Sequence, residues 1–122
     1  MDSNGKIGGE NLMFIERIKK DIEESAAVKN LILNDMPTIG LINEIAEECI
    51  NTLNKGGKVI FCGNGGSFAD AQHLSAEFTG KYAFDRGALA SIALGTNSSS
   101  LSAIGNDYGY ENVFSREIEA VA

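Results

Sequence analysis

Five residues, Lys58-Val59-Ile60-Phe61-Cys62, constrain the fold more than any other stretch of the chain. They form a short, nearly continuous apolar run, the pattern of a strand buried on both faces. Gly63-Asn64-Gly65-Gly66-Ser67 follows at once, and a helical stretch then runs to Phe78. Strand, glycine loop and helix in that order predict an α/β unit. A second apolar run, Leu89 to Leu94, predicts the next strand. Gly95-Thr96-Asn97-Ser98-Ser99-Ser100 then opens a short helix through Ile104. A loop from Gly105 to Gly109 leads to a last helical segment, Glu111 to Ala122.

Two helices are expected before this unit. From about Glu10 to Leu33, the residues Leu12, Ile15, Ile18 and Ile22 recur every three or four positions, opposite Glu16, Lys19, Lys20 and Glu23. The pattern pauses at Asn34-Asp35-Met36-Pro37, where Asp35 can cap and Pro37 suits a first helical turn. The second helix carries Ile39, Ile42, Ile45, Ala46, Cys49, Ile50 and Leu53 on its apolar side and ends at Gly56-Gly57. Both stripes are expected to pack on a sheet or a partner subunit. Residues 1–9 predict a disordered lead and 10–122 a partial α/β domain, with N-terminal helices over 10–55 and a sheet-forming part over 58–122. The last helix stops at Ala120-Val121-Ala122 without a glycine cap, and only two strands are visible. The sequence is therefore expected to be a fragment of a longer domain.

Composition narrows the function classes. The 122 residues include 17 acidic and 10 basic side chains, for a formal net charge of −7. That argues against nucleic-acid binding, which needs clustered Lys and Arg to displace phosphate counterions. A single phosphate remains possible, because backbone amides hold one locally whatever the global charge. No apolar run approaches the roughly 18 residues of a membrane span, and residues 1–9 lack an apolar signal core. Cys49 and Cys62 have no metal-type spacing and are expected to be reduced thiols in a cytoplasmic protein.

Four features could carry chemistry. The glycine loop lets the backbone turn sharply, with Ser67 able to cap the next helix. Its amides and the positive helix end favour an anion or polyhydroxyl ligand; a tight turn alone is the plainer explanation. Phe68 fills the third glycine position of a dinucleotide fingerprint, and no Gly-Lys-Ser/Thr follows to make a P-loop. His73 and Glu77 are four apart on one helical face, with Asp70 on much the same side. Such a pair can ligate a metal or set a carboxylate base beside an imidazole, or merely support the helix. His73 is the chain's one histidine, so no triad or three-histidine site exists here. Asn106 and Asp107, between glycines, are turn formers that could also hold sugar hydroxyls. Helix capping accounts for most of Thr96 to Ser100.

Together these segments resemble the phosphoheptose isomerases, sugar-phosphate isomerases of the SIS (sugar isomerase) fold. Cys62 to Tyr82, with its Cys-Gly-Asn-Gly-Gly-Ser and Gln-His-Leu-Ser-Ala-Glu-Phe-Thr-Gly, is similar to that family's first active-site stretch. Ser102 to Tyr110 is similar to its second, followed by Phe114-Ser115-Arg116 and Ile118-Glu119-Ala120. The similarity runs from about Ile42 to the end. It implies a flavodoxin-like parallel sheet flanked by helices, and interconversion of sedoheptulose 7-phosphate and D-glycero-D-manno-heptose 7-phosphate. That step supplies heptose for bacterial surface polysaccharide, lipopolysaccharide or capsule. The resemblance assigns Asn64, Gly65, Gly66, Ser67, Asn106 and Asp107 to the substrate. It assigns His73 and Glu77 to zinc and catalysis, with Glu77 also contacting substrate and acting as the base. It further implies a homotetramer whose sites combine residues of neighbouring subunits.

Two departures stand out. The family often has Arg where this chain has Lys81, a non-bidentate partner for phosphate. The family's phosphate loop and its later Gln and His, which complete the zinc and acid functions, are expected beyond residue 122. By that expectation the chain alone holds about half a site and can be inactive. The rival reading is a non-catalytic SIS protein that binds the replication initiator. A third is an amino-sugar or N-acetylmuramate phosphate SIS protein, against which Gly105 to Gly109 points.

Overall fold

The computed structural model describes residues 11–122. The lead expected over residues 1–9 and the helix start at Glu10 lie outside the described residues. The chain divides into two compact units, one up to Ile45 and one from Ala46 onward.

The first unit contains α1, Asn11–Leu33, and the front of α2, Met36–Asn54. Exposed charge pairs line α1: Arg17 with Asp21 at 2.9 Å, Lys19 with Glu16 at 3.1 Å and Lys20 with Glu24 at 3.6 Å. Each contributes about 0.5 kcal/mol or less, because water screens them. The break between the helices follows the expected chemistry. Asp35 offers its carbonyl to the Ile39 amide at 3.0 Å and its carboxylate to the Thr38 hydroxyl. Pro37 sits in the first turn, where a missing N–H leaves no bond unmade. The apolar stripes remain open: Ile15, Ile18, Ile22, Ile42 and Ile45 are all exposed.

In the second unit, β1 (Val59–Phe61) and β2 (Ser91–Ala93) pair in parallel, with Ile60 opposite Ile92. Parallel neighbours require a crossover, and α3 (Gly66–Thr79) supplies it. The helix packs on both strands. Phe78 meets Phe61 edge to face at 5.6 Å, and the Ser91 hydroxyl donates to Ser75 Oγ at 3.2 Å. Small residues let the helix approach, and Ala71 and Ser75 are both buried there. Beyond β2, α4 (Ser98–Tyr108), a 3-10 turn (Tyr110–Asn112) and α5 (Val113–Val121) pack on one another. Leu94 and Val113 are the most deeply buried side chains of the unit. Lys58 at the start of β1 donates to the Val121 carbonyl at 2.8 Å, a cation at the negative end of α5.

Three expectations need correction. β1 is half-buried rather than covered on both faces, because α3 alone packs on the sheet among the described residues. Both strands are also shorter than their apolar runs: Val59 to Phe61 pair with Ser91 to Ala93, with the Ala90 carbonyl and the Leu94 amide bonding to β1 from just outside β2. The loop expected over Gly105 to Gly109 is helical as far as Tyr108. Asn97 starts α4 by accepting the Ser100 amide at 3.1 Å, and the helix ends only where Gly109 turns to φ 88°. Packing of α4 against α5 and the 3-10 turn overrides the turn preference of Asn106 and Asp107.

Replacing Leu94, which is 0% exposed, by alanine should cost about 2–5 kcal/mol. A urea unfolding curve should show this as a lower midpoint with an unchanged slope.

Candidate functional site

The glycine loop lies between the end of β1 and the start of α3. A Cβ on Gly63 would overlap the backbone carbonyl of Ser67 and come within 2.7 Å of its Cβ, so only glycine fits. Gly65 adopts φ 57° and takes the N-cap position of α3. The turn closes through the Ser67 amide to the Asn64 carbonyl and the Phe68 amide to the Gly65 carbonyl, both 3.1 Å. Ser67 therefore does not cap the helix as expected. The positive φ of Gly65 starts the helix one residue before Ser67, and no side chain caps it. Asn64, Gly65, Gly66 and Ser67 are all exposed, at the positive end of α3.

His73 and Glu77 share a face of α3, as their spacing predicts. His73 Nε2 stands 3.4 Å from Glu77 Oε1, with the imidazole 74% exposed and the carboxylate 29% exposed. Both line a cavity of about 340 Å³ together with Leu74, Phe78, Tyr82, Arg86 and Leu89. The pair is thus polar within largely apolar walls, which suits orientation of a small ligand. Asp70, though on the same helix, does not line this cavity.

Asn106 and Asp107 lie in the last turn of α4, where the Asn106 amide donates to the Asp107 carboxylate at 2.8 Å. Asp107 lines a second cavity, of about 360 Å³, with Asn97, Tyr108, Arg116 and Glu117 among its walls. The cavity lined by Glu77 and the cavity lined by Asp107 have no residue in common. What joins the motifs is Tyr110, whose hydroxyl donates to the Asn64 carboxamide oxygen. Among the described residues, no group of three or more His, Cys, Asp or Glu side chains is placed to hold a metal.

Sequence reasoning missed three residues that shape this region. Tyr110 ties the loop after α4 to the glycine loop. Glu117 accepts the Gly95 amide at 2.6 Å, fixing the end of β2 to α5. Arg86 binds the last carbonyls of α3 from a segment without regular structure. Only Arg86 had a visible signal, a cation shortly after a helix that ends at a glycine.

Replacing Gly63 by alanine should destabilise the chain by about 1–3 kcal/mol, since the neighbour that must give way is backbone. A thermal melt followed by circular dichroism should show the loss.

A family model described as SIS domain matches residues 25–121. The chain is 46% identical over 104 residues to a phosphoheptose isomerase of Burkholderia pseudomallei, covering 85% of this chain and 53% of that protein. Among solved structures it is similar to the phosphoheptose isomerase of Neisseria gonorrhoeae, with a TM-score of 0.77 and 39% identity, covering 89% of this chain and 55% of that one. The phosphoheptose isomerase of Francisella tularensis superimposes with a TM-score of 0.80 at 30% identity, over 88% of this chain and 56% of that one. The chain thus spans about half the length of the curated relatives it matches. With a match that extends from α1 to the end of α5, this chain belongs to the SIS domain family.

Proposed function

We propose that the protein to which this chain belongs is an aldose–ketose isomerase acting on a seven-carbon sugar phosphate. It would convert sedoheptulose 7-phosphate to D-glycero-D-manno-heptose 7-phosphate, for bacterial lipopolysaccharide or capsule. The observation that carries this reading is the His73–Glu77 pair, held on the helix that follows an exposed glycine loop. Relatives named phosphoheptose isomerase at 46–50% identity support it.

The chemistry asks for few groups. Carbon-bound hydrogen next to a carbonyl is removed as a proton, an enediolate forms, and the proton returns to the neighbouring carbon. Glu77 is the base in this scheme, because its carboxylate stands beside His73 in a largely apolar cavity, where it can take a proton from one carbon and return it to the next. Asn64, Gly65, Gly66 and Ser67 bind the sugar, and Asn106 and Asp107 hold hydroxyls. Orientation by these groups makes the proton transfer effectively unimolecular.

Zinc fits the His73–Glu77 pair. An imidazole nitrogen and a carboxylate oxygen are both zinc-type donors, and on one helix face at 3.4 Å they would hold the ion together. Bound there, zinc would act as a Lewis acid toward the developing oxyanion. The remaining ligands must come from outside this pair.

Self-association as a homotetramer is also proposed, supported by the exposed apolar residues of α1, among them Ile15, Ile18 and Ile22. A cytoplasmic location accords with the free thiols of Cys49 and Cys62. No helix among the described residues is long and apolar enough to cross a membrane.

The test is turnover by the complete protein. Incubated with sedoheptulose 7-phosphate, it should form the aldoheptose phosphate, and Glu77→Gln should lower kcat by about 100-fold or more while leaving the fold intact. Retention of a tenth of the activity would remove Glu77 from the role of base. A folded protein with no turnover would overturn the isomerase reading. His73→Ala should also lower the zinc content after dialysis, measured by atomic emission, whether or not activity is detectable.

A further inference from the structure

We infer that Arg86 is a positioning residue that fixes the last turn of α3 and thereby aims Glu77, an inference that rests on the reading of Glu77 as the base. The carboxyl end of any helix leaves its final carbonyls without intrahelical donors. In α3 those carbonyls belong to the turn that carries Glu77. Arg86 Nη2 donates to the carbonyl of Glu77 itself at 2.7 Å, and Nη1 donates to the Phe78 carbonyl at 2.9 Å. Nη1 also reaches the Gly87 carbonyl at 2.9 Å and, more weakly, that of Gly80 at 3.4 Å. One guanidinium thus spans the helix end and the segment that leaves it.

Two backbone bonds complete the arrangement. The Gly80 amide donates to the Ala76 carbonyl at 2.8 Å, and the Leu89 amide donates to the Phe78 carbonyl at 3.0 Å. Residues 80–90 contain no helix or strand. Arg86 therefore does for this segment what a regular element does elsewhere, holding it back against α3. Its planar fork suits this task, since it aligns separate donors on neighbouring carbonyls, which a lysine ammonium cannot do. The cation also complements the negative helix end.

The consequence for catalysis follows from position. Glu77 is two residues from the end of α3. A frayed last turn would let its carboxylate leave the side of His73 and the cavity that both line. A misplacement of the order of 1 Å in such a group costs roughly 100-fold in rate. Arg86 lines the same cavity, and both of its terminal nitrogens donate to backbone carbonyls, one of them that of Glu77 itself, so it acts through Glu77.

The experiment compares Arg86→Gln and Arg86→Lys with the parent in the complete protein. Arg86→Gln should lower kcat for sedoheptulose 7-phosphate about 10- to 100-fold, with KM close to the parent value. Arg86→Lys should fall between, because it restores charge without the fork; it also serves if Arg86→Gln does not fold. Hydrogen exchange at the Phe78, Thr79 and Gly80 amides should quicken about tenfold or more, with Ile60 and Ile92 in the sheet unchanged. A lower melting temperature with unchanged kcat would reduce Arg86 to a stabilising residue and overturn the inference. An inactive parent would instead count against the isomerase reading. Exchange then decides alone: unchanged rates at Phe78 to Gly80 in Arg86→Gln overturn the clamp, and faster rates sustain it.

Discussion

The glycine loop and the His73–Glu77 pair both depend on how α3 is seated across β1 and β2. The helix is the crossover of a parallel pair, so its direction is set by the two strands it joins. Ala71 and Ser75 bring the helix close to the sheet, and Phe78 closes the contact against Phe61. Burial of this face turns the opposite side outward. That side carries His73 and Glu77, which is why a pair four residues apart becomes a wall of a cavity rather than part of the core.

Both ends of α3 are built to limit its freedom. At the front, Gly63 allows the chain to pass against the Ser67 carbonyl, and Gly65 enters the helix at a positive φ. A turn of this kind leaves exposed amides at a positive helix end, which favour an anionic or hydroxyl-rich ligand. At the back, Arg86 occupies the carbonyls that the helix cannot satisfy for itself. The candidate base lies near this second anchor, whereas Asn64 lies at the first. Tyr110 then couples the first anchor to the segment after α4.

Half-satisfied surfaces are the other feature of the molecule. Among the described residues the sheet has two strands, α3 covers one of its faces, and α1 and α2 expose many large apolar side chains. Apolar residues exposed in such numbers favour burial against further protein. The chain also spans about half the length of its curated relatives. The two candidate clusters, one around Glu77 and one around Asp107, line cavities that have no residue in common.

The order of elements was legible from local pattern alone. Glycines after an apolar run announce a strand-to-helix turn, and the Asn-Asp-Met-Pro break marks where one helix yields to the next. The His73–Glu77 face was legible too, because helical periodicity is a property of the backbone and not of its neighbours. Contacts between distant residues were not. Asn106 and Asp107 read as a loop because turn preference is local, while the packing of α4 on α5 that keeps them helical involves residues outside any short window. Ser67 read as a cap because its type suits one, but the φ of Gly65 decides where the helix begins. Tyr110 acts across a long separation, where no periodicity exists to reveal it, and Arg86 left only the signal of a cation soon after a helix end. The sequence by itself determined which elements form and which side chains share a helix face. Only the tertiary structure decided which carbonyls receive the Arg86 donors and which cavity each candidate residue lines, because those depend on where the chain returns in space.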